Sequence, residues 1–132
     1  MMIFDHLGIT VDDLSHGIAQ FDPILTALGF TRHDADGSVS WQRDDEPELI
    51  LFPSREAGAG PHRHGRVGWQ HLAFAVTSRA EVDRLHDIAM RAGWSAVRDP
   101  KEYPRFTDRY YASFVEDSSG IRIEFMHNPP RE

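Results

Sequence analysis

The chain carries the same short motif twice. Asp5-His6-Leu7-Gly8-Ile9-Thr10-Val11 and Gln70-His71-Leu72-Ala73-Phe74-Ala75-Val76 both read polar, His, Leu, small, apolar, small, Val. His71 lies 65 residues after His6 in a chain of 132. Self-similarity at about half the length points to one supersecondary unit used twice.

The stretch after each copy repeats as well. Leu14, Ile18, Phe21, Leu25 and Leu28 recur at spacings of three and four, closed by Gly29 and Phe30. Val82, Leu85, Ala89 and Ala92 do the same, closed by Gly93 and Trp94. That spacing predicts two helices with glycine C-caps. Ser78 and Glu81 form a capping box for the second. In the first, Pro23 either kinks the helix or sits in the first turn of a restart capped by Asp22. Strand-like runs then fall at 30–35, 38–43 and 48–53, and again at 95–98, 109–116 and 121–126. The expectation is a single 1–132 domain of the α+β class with two β-α-β-β-β modules. Module one covers 1–53, a Gly-, Pro- and Arg-rich linker covers 54–67, and module two covers 68–128. Each sheet needs cover on its open face, so neither half is expected to be stable alone.

Composition narrows the function. Hydrophobic residues at 40% and charged residues at 27% fit a globular chain able to bury its own core. A formal net charge of −7 with scattered cations argues against nucleic acid as a partner. With no cysteine there are no disulfides and no thiolate metal ligands. The start, Met1-Met2-Ile3-Phe4-Asp5-His6, lacks the build of a signal peptide. No apolar run approaches the roughly 20 residues of a membrane helix. A cytoplasmic protein without membrane contact is expected.

Strand side chains alternate between faces. Leu7, Ile9 and Val11 share one face of the first strand, and His6, Gly8 and Thr10 the other. In the repeat, Leu72, Phe74 and Val76 oppose His71, Ala73 and Ala75. Each histidine thus stands on a face of small residues that leave space above the sheet. In the last strand Ile121, Ile123 and Phe125 take the packed face, leaving Glu124 with Arg122 and Met126. Two histidines and a carboxylate suit a divalent ion with positions open to water or substrate. Taken singly, a strand histidine is commonly structural and a strand glutamate commonly solvated; the repeat is what makes His6, His71 and Glu124 candidates.

These motifs resemble the vicinal oxygen chelate superfamily, the glyoxalase, fosfomycin-resistance and extradiol-dioxygenase group. Tyr110-Tyr111-Ala112-Ser113-Phe114-Val115-Glu116-Asp117-Ser118-Ser119-Gly120 and Ile121-Arg122-Ile123-Glu124 add to the match, which spans nearly the whole chain. The resemblance implies a glyoxalase-like fold, with two βαβββ modules forming a cupped mixed sheet and helices on its convex face. It implies one divalent metal ion (Zn, Ni, Mn or Fe) on His6, His71 and Glu124, chelating a small oxygen-rich substrate through adjacent oxygens. It also implies a homodimer, and in some members sites built from two chains. The activity expected is that of a lyase, isomerase or extradiol-type dioxygenase. The alternative is a metal-free sequestering protein like the bleomycin-resistance branch.

One departure stands out. Glyoxalase I carries a fourth ligand, a glutamate in the last strand of module one. Aligning Glu48-Leu49-Ile50-Leu51-Phe52 with Arg122-Ile123-Glu124-Phe125-Met126 puts Ile50 at that place. Glu48, two residues earlier on the same face, serves only in a shifted register. Isomerising a hemithioacetal needs a base for a carbon-bound proton, which isoleucine is not.

The segment 101–111 mixes aromatics and cations. Tyr103 and Tyr110 are candidate catalytic donors, and Arg105 and Arg109 candidate partners for a substrate carboxylate or phosphate. His62 and His64 lie in the linker, as a solvated loop or as part of a lid. Trp41, Trp69 and Phe52 are expected in the core or cavity wall. His16, His33, His86 and His127 read as surface or packing residues.

Overall fold

The structure is a computed structural model that describes residues 2–56 and 58–131. Met1, Ala57 and Glu132, which the sequence places in module one, the linker and the C-terminus, lie outside the described residues. The chain divides into two compact units, Met1–Pro61 and His62–Glu132.

The first unit runs β1 (His6–Val11), α1 (Leu14–Ala27), β2 (Thr31–Ala35), β3 (Ser38–Gln42) and β4 (Glu48–Pro53). The sheet order is β1-β4-β3-β2, with β1 parallel to β4 and the other pairs antiparallel. The alternation expected from sequence holds: Ile9 and Val11 are buried, while His6, Gly8 and Thr10 are exposed. Trp41, Leu49 and Leu51 of the sheet and Phe21, Ile24 and Leu25 of α1 complete the core. Each such side chain contributes roughly 1.5–3 kcal/mol when fully buried. The helix approaches β1 at Gly17, where a Cβ would lie 2.9 Å from Val11 Cγ2.

Asp13 caps α1 by accepting the His16 backbone N–H at 2.9 Å. The helix runs through Pro23 without a restart. Asp22 is no cap; its carboxylate accepts the Trp41 indole N–H at 2.9 Å. Gly29, at φ 88°, ends the helix, and Phe30 N donates back to Leu25 O at 2.9 Å. Phe52, expected in the core or the cavity wall, is 41% exposed, its ring 3.2 Å from where a Cβ on Gly8 would stand.

The second unit repeats the plan with β5 (Leu72–Ala75), α2 (Arg79–Arg91), β6 (Ser95–Glu102), β7 (Tyr111–Glu116) and β8 (Arg122–His127). Its order is β5-β8-β7-β6, with β5 parallel to β8. Ser78 caps α2 by accepting Glu81 N–H, and Gly93 at φ 93° ends it, with Trp94 N donating to Ala89 O. The two helices therefore stop by the same device. His86, read as a packing residue, joins α2 to β7, its Nδ1 3.2 Å from Ser113 Oγ and its Nε2 3.5 Å from Asp99. Ser113 is completely buried, so this serine–histidine–aspartate line is a staple and not a nucleophile.

β6 runs four residues past the expected end at 98. Asp99-Pro100 reads as a breaker, but an edge strand tolerates proline, and the register shifts on both sides of Arg98 absorb the irregularity. The segment from His62 is tied down. His62 N donates to Ser119 O at 2.9 Å, and the His62 ring bonds Trp69 O at 3.0 Å. Among the described residues, each unit thus forms its own four-stranded mixed sheet with one helix.

Candidate functional site

In the second unit the pairings Ala73↔Glu124, Glu124↔Phe114 and Phe114↔Arg98 set four residues in one row across the sheet. Directly paired residues point to the same face. Ile123 and Phe125, on the opposite face, are buried in the core. Alternation alone therefore turns Glu124 onto the open face, as the sequence predicts.

Glu124 is nevertheless only 2% exposed. A buried carboxylate costs several kcal/mol unless it is paired and hydrogen-bonded, and both of its oxygens are engaged. Oε1 lies 3.0 Å from His71 Nε2. Oε2 accepts the Tyr110 hydroxyl in a short bond. Burial, followed by this bond to Glu124, raises the pKa of Tyr110 far above that of a free tyrosine. Tyr110 is thus a fixed proton donor to the carboxylate at neutral pH.

The polar residue before each repeated histidine has a function visible only in the structure. Gln70 Oε1 meets His71 Nδ1, and Asp5 Oδ1 meets His6 Nδ1 at 2.7 Å. Gln70 Nε2 faces His64 Nε2 at 3.3 Å, which assigns the amide oxygen to His71. An acceptor at Nδ1 keeps the ring proton there and leaves the Nε2 lone pair free, the usual way a ligand histidine is oriented. His71 Nε2 faces a carboxylate oxygen at 3.0 Å, close enough for a hydrogen bond or for both atoms to bind one cation. Two donors about 2.1 Å from one ion in adjacent octahedral positions stand about 3.0 Å apart, the separation found. The donor set and spacing fit a divalent ion.

His6 belongs to the first unit, exposed on β1. Among the described residues, no group of three or more His, Cys, Asp or Glu gathers to hold an ion; His71 and Glu124 meet as a pair. Glu48 pairs with His6 in the β1–β4 register and Ile50 with Gly8. Since Glu124 pairs with Ala73, Ile50 is its counterpart and Glu48 corresponds to Arg122. Glu48 accepts from Gln42 Nε2 at 2.5 Å and lines an open depression with Asp5, Asp44 and Glu46.

Of the 101–111 candidates, Arg109 is committed elsewhere, donating to Asp108 and to Pro129 O. Arg105 lies over the Phe106 ring. Tyr103 stacks on Phe106 and makes edge contacts with Tyr110 and Phe114, while His71 makes an edge contact with Phe114. Aromatic rings therefore wall the carboxylate. Burial raises the pKa of Tyr103; Arg98 works against this rise and the Glu124 charge adds to it. Sequence reasoning missed Gln70 and Asp5 as orienting groups, although the polar position in the repeat was the signal for them.

Residues 3–125 match the family model described as the Glyoxalase/Bleomycin resistance protein/Dioxygenase superfamily. The uncharacterized protein YqjT of Bacillus subtilis is 28% identical over 123 residues, covering 92% of this chain and 95% of that protein. A crystal structure of a glyoxalase/bleomycin resistance protein from Albidiferax ferrireducens matches with TM-score 0.78 at 20% identity, covering 96% of this chain and 100% of the other. A glyoxylase/bleomycin resistance protein/dioxygenase domain from Frankia sp. EAN1pec matches with TM-score 0.75 at 21% identity, covering 98% and 99%. At those identities the two structures share the fold alone.

Proposed function

The chain belongs to the Glyoxalase/Bleomycin resistance protein/Dioxygenase superfamily, and from that premise we propose that it is a metal-dependent enzyme acting on a small oxygen-rich molecule. The observation carrying this reading is the buried Glu124 carboxylate 3.0 Å from a His71 Nε2 whose proton is held on the far side of the ring. His71 and Glu124 would hold a divalent ion (Zn, Ni, Mn or Fe). His6, with its Nδ1 held in the same way by Asp5, is the third ligand, supplied by module one of the same chain or of a second copy in a homodimer. Such an ion supplies Lewis acidity to a substrate that binds through adjacent oxygens.

The chain's own residues do the rest. Gln70 fixes the His71 ring, and Tyr110 holds the outer oxygen of Glu124 so that the inner one keeps its direction. Phe114 and Tyr103 exclude water from the carboxylate. With isoleucine at position 50, a fourth carboxylate is missing from the place where glyoxalase I keeps one. Lyase or dioxygenase chemistry therefore suits the donor set better than hemithioacetal isomerisation. Among the described residues no helix is long and apolar enough to cross a membrane.

Metal analysis of protein purified without chelator tests this reading. The expected result is about one ion per chain, lost in His71→Ala and Glu124→Ala. Metal retained unchanged in both variants contradicts it. A second reading, a metal-free sequestering protein, draws on the aromatic wall of Tyr103, Phe106, Tyr110 and Phe114. It requires that a planar ligand bind equally well with and without EDTA.

A further inference from the structure

The Tyr103 hydroxyl is buried without a hydrogen-bond partner, in a residue 6% exposed. An unsatisfied buried hydroxyl is destabilising and needs an explanation. Two cations of the same sheet stand near it. Arg98 shares the row and face of Phe114 and Glu124 and acts on Tyr103 through its charge. Lys101, paired with Ala112 on the same face, sets its Nζ 5.1 Å from the centre of the Tyr103 ring. Both side chains are exposed, and among the described residues neither side chain makes a hydrogen bond or ion pair. Two cations thus stand beside an orphaned donor on one sheet face.

We propose that Arg98, Lys101 and Tyr103 form an oxyanion subsite, so that the substrate carries a carboxylate or phosphonate at the end remote from its chelating oxygens. The subsite rests on the proposed function for its role, since it takes the far end of the same substrate, but its ligand binding does not require the metal. Charge-assisted bonds from the arginine and lysine supply attraction, and the tyrosine hydroxyl supplies direction. Phe106, half exposed and stacked 5.6 Å from the Tyr103 ring, and the exposed Lys101 are the side chains that move aside to admit the oxygen.

The test titrates the full-length protein in EDTA with benzoate, phenylphosphonate and the neutral isostere benzamide, read by calorimetry. At least one anion is expected to bind at least tenfold tighter than benzamide. Arg98→Gln and Lys101→Gln should each weaken it severalfold. Tyr103→Phe keeps the ring and should also weaken it, yet should leave the melting temperature of the free protein unchanged or raised, since the lost hydroxyl had no partner. Benzamide binding as well as both anions, or affinity indifferent to all three substitutions, overturns the subsite. A Tyr103→Phe variant that melts lower gives the hydroxyl a structural role and overturns its part. Because metal is absent throughout, failure here leaves the metal reading standing, and loss of the metal reading leaves this result intact.

Discussion

Ile50 occupies in the first sheet the register position that Glu124 occupies in the second: Ile50 pairs with Gly8 as Glu124 pairs with Ala73. Both modules thus carry a small residue on their first strand, but the first has an apolar side chain where the second has a carboxylate. Ile50→Glu restores the missing donor on the face of His6. The expected outcome is slower loss of metal to a chelator than from the parent protein. An unchanged rate would mean that the first sheet's open face does not reach the ion.

Gln70 acts on the metal through His71 alone. Gln70→Ala should leave the fold intact and weaken metal affinity by roughly 10–100-fold, the usual cost of removing an orienting partner. Competition against a fluorescent chelator measures it. Equal affinity would show that the His71 ring is held by other means.

Gly120 has no room for a side chain. A Cβ there would lie 1.7 Å from the His62 carbonyl oxygen, and its φ is +81°. Gly120→Ala should cost at least about 3 kcal/mol, combining backbone strain with the displacement of a hydrogen-bonded segment. A urea midpoint equal to that of the parent would mean the residues around His62 yield freely.

Asp13 provides a pH handle in the first unit. Its carboxyl is held below the ordinary range, first by the His16 backbone N–H and then by the Ser15 hydroxyl. The cap's contribution is complete above the unfolded value of about 3.9 and is lost as pH falls through the lower folded value. Asp13→Asn caps without titrating. Its melting temperature should fall less steeply than the parent's between about pH 5 and pH 2. Parallel curves would remove Asp13 from the acid transition.

The fold was legible because its signals are periodic. The helix ends at Gly29 and Gly93 and the alternation around Ile9 and Ile123 all depend on spacing, which sequence carries directly. Glu124 was legible as a candidate for the same reason, being opposite two core residues. The directions of side chains at 98–110 were not legible. Two register shifts flank Arg98, and each upsets the alternation by which a face is read. Arg109 looked like a substrate partner, but its carbonyl partner at Pro129 lies 20 residues away in a segment without periodicity. The polar member of the repeat, Asp5 and Gln70, was in plain view; its bond to the neighbouring ring depends on rotamers and not on spacing.

The most direct measurement is an anomalous-scattering map from crystals grown with manganese or nickel. The account predicts one strong peak within coordinating distance of His71 Nε2 and Glu124 Oε1, with a second histidine nitrogen, from His6, completing the set. Crystals in which those two atoms hold no ion while metal is bound elsewhere would contradict it.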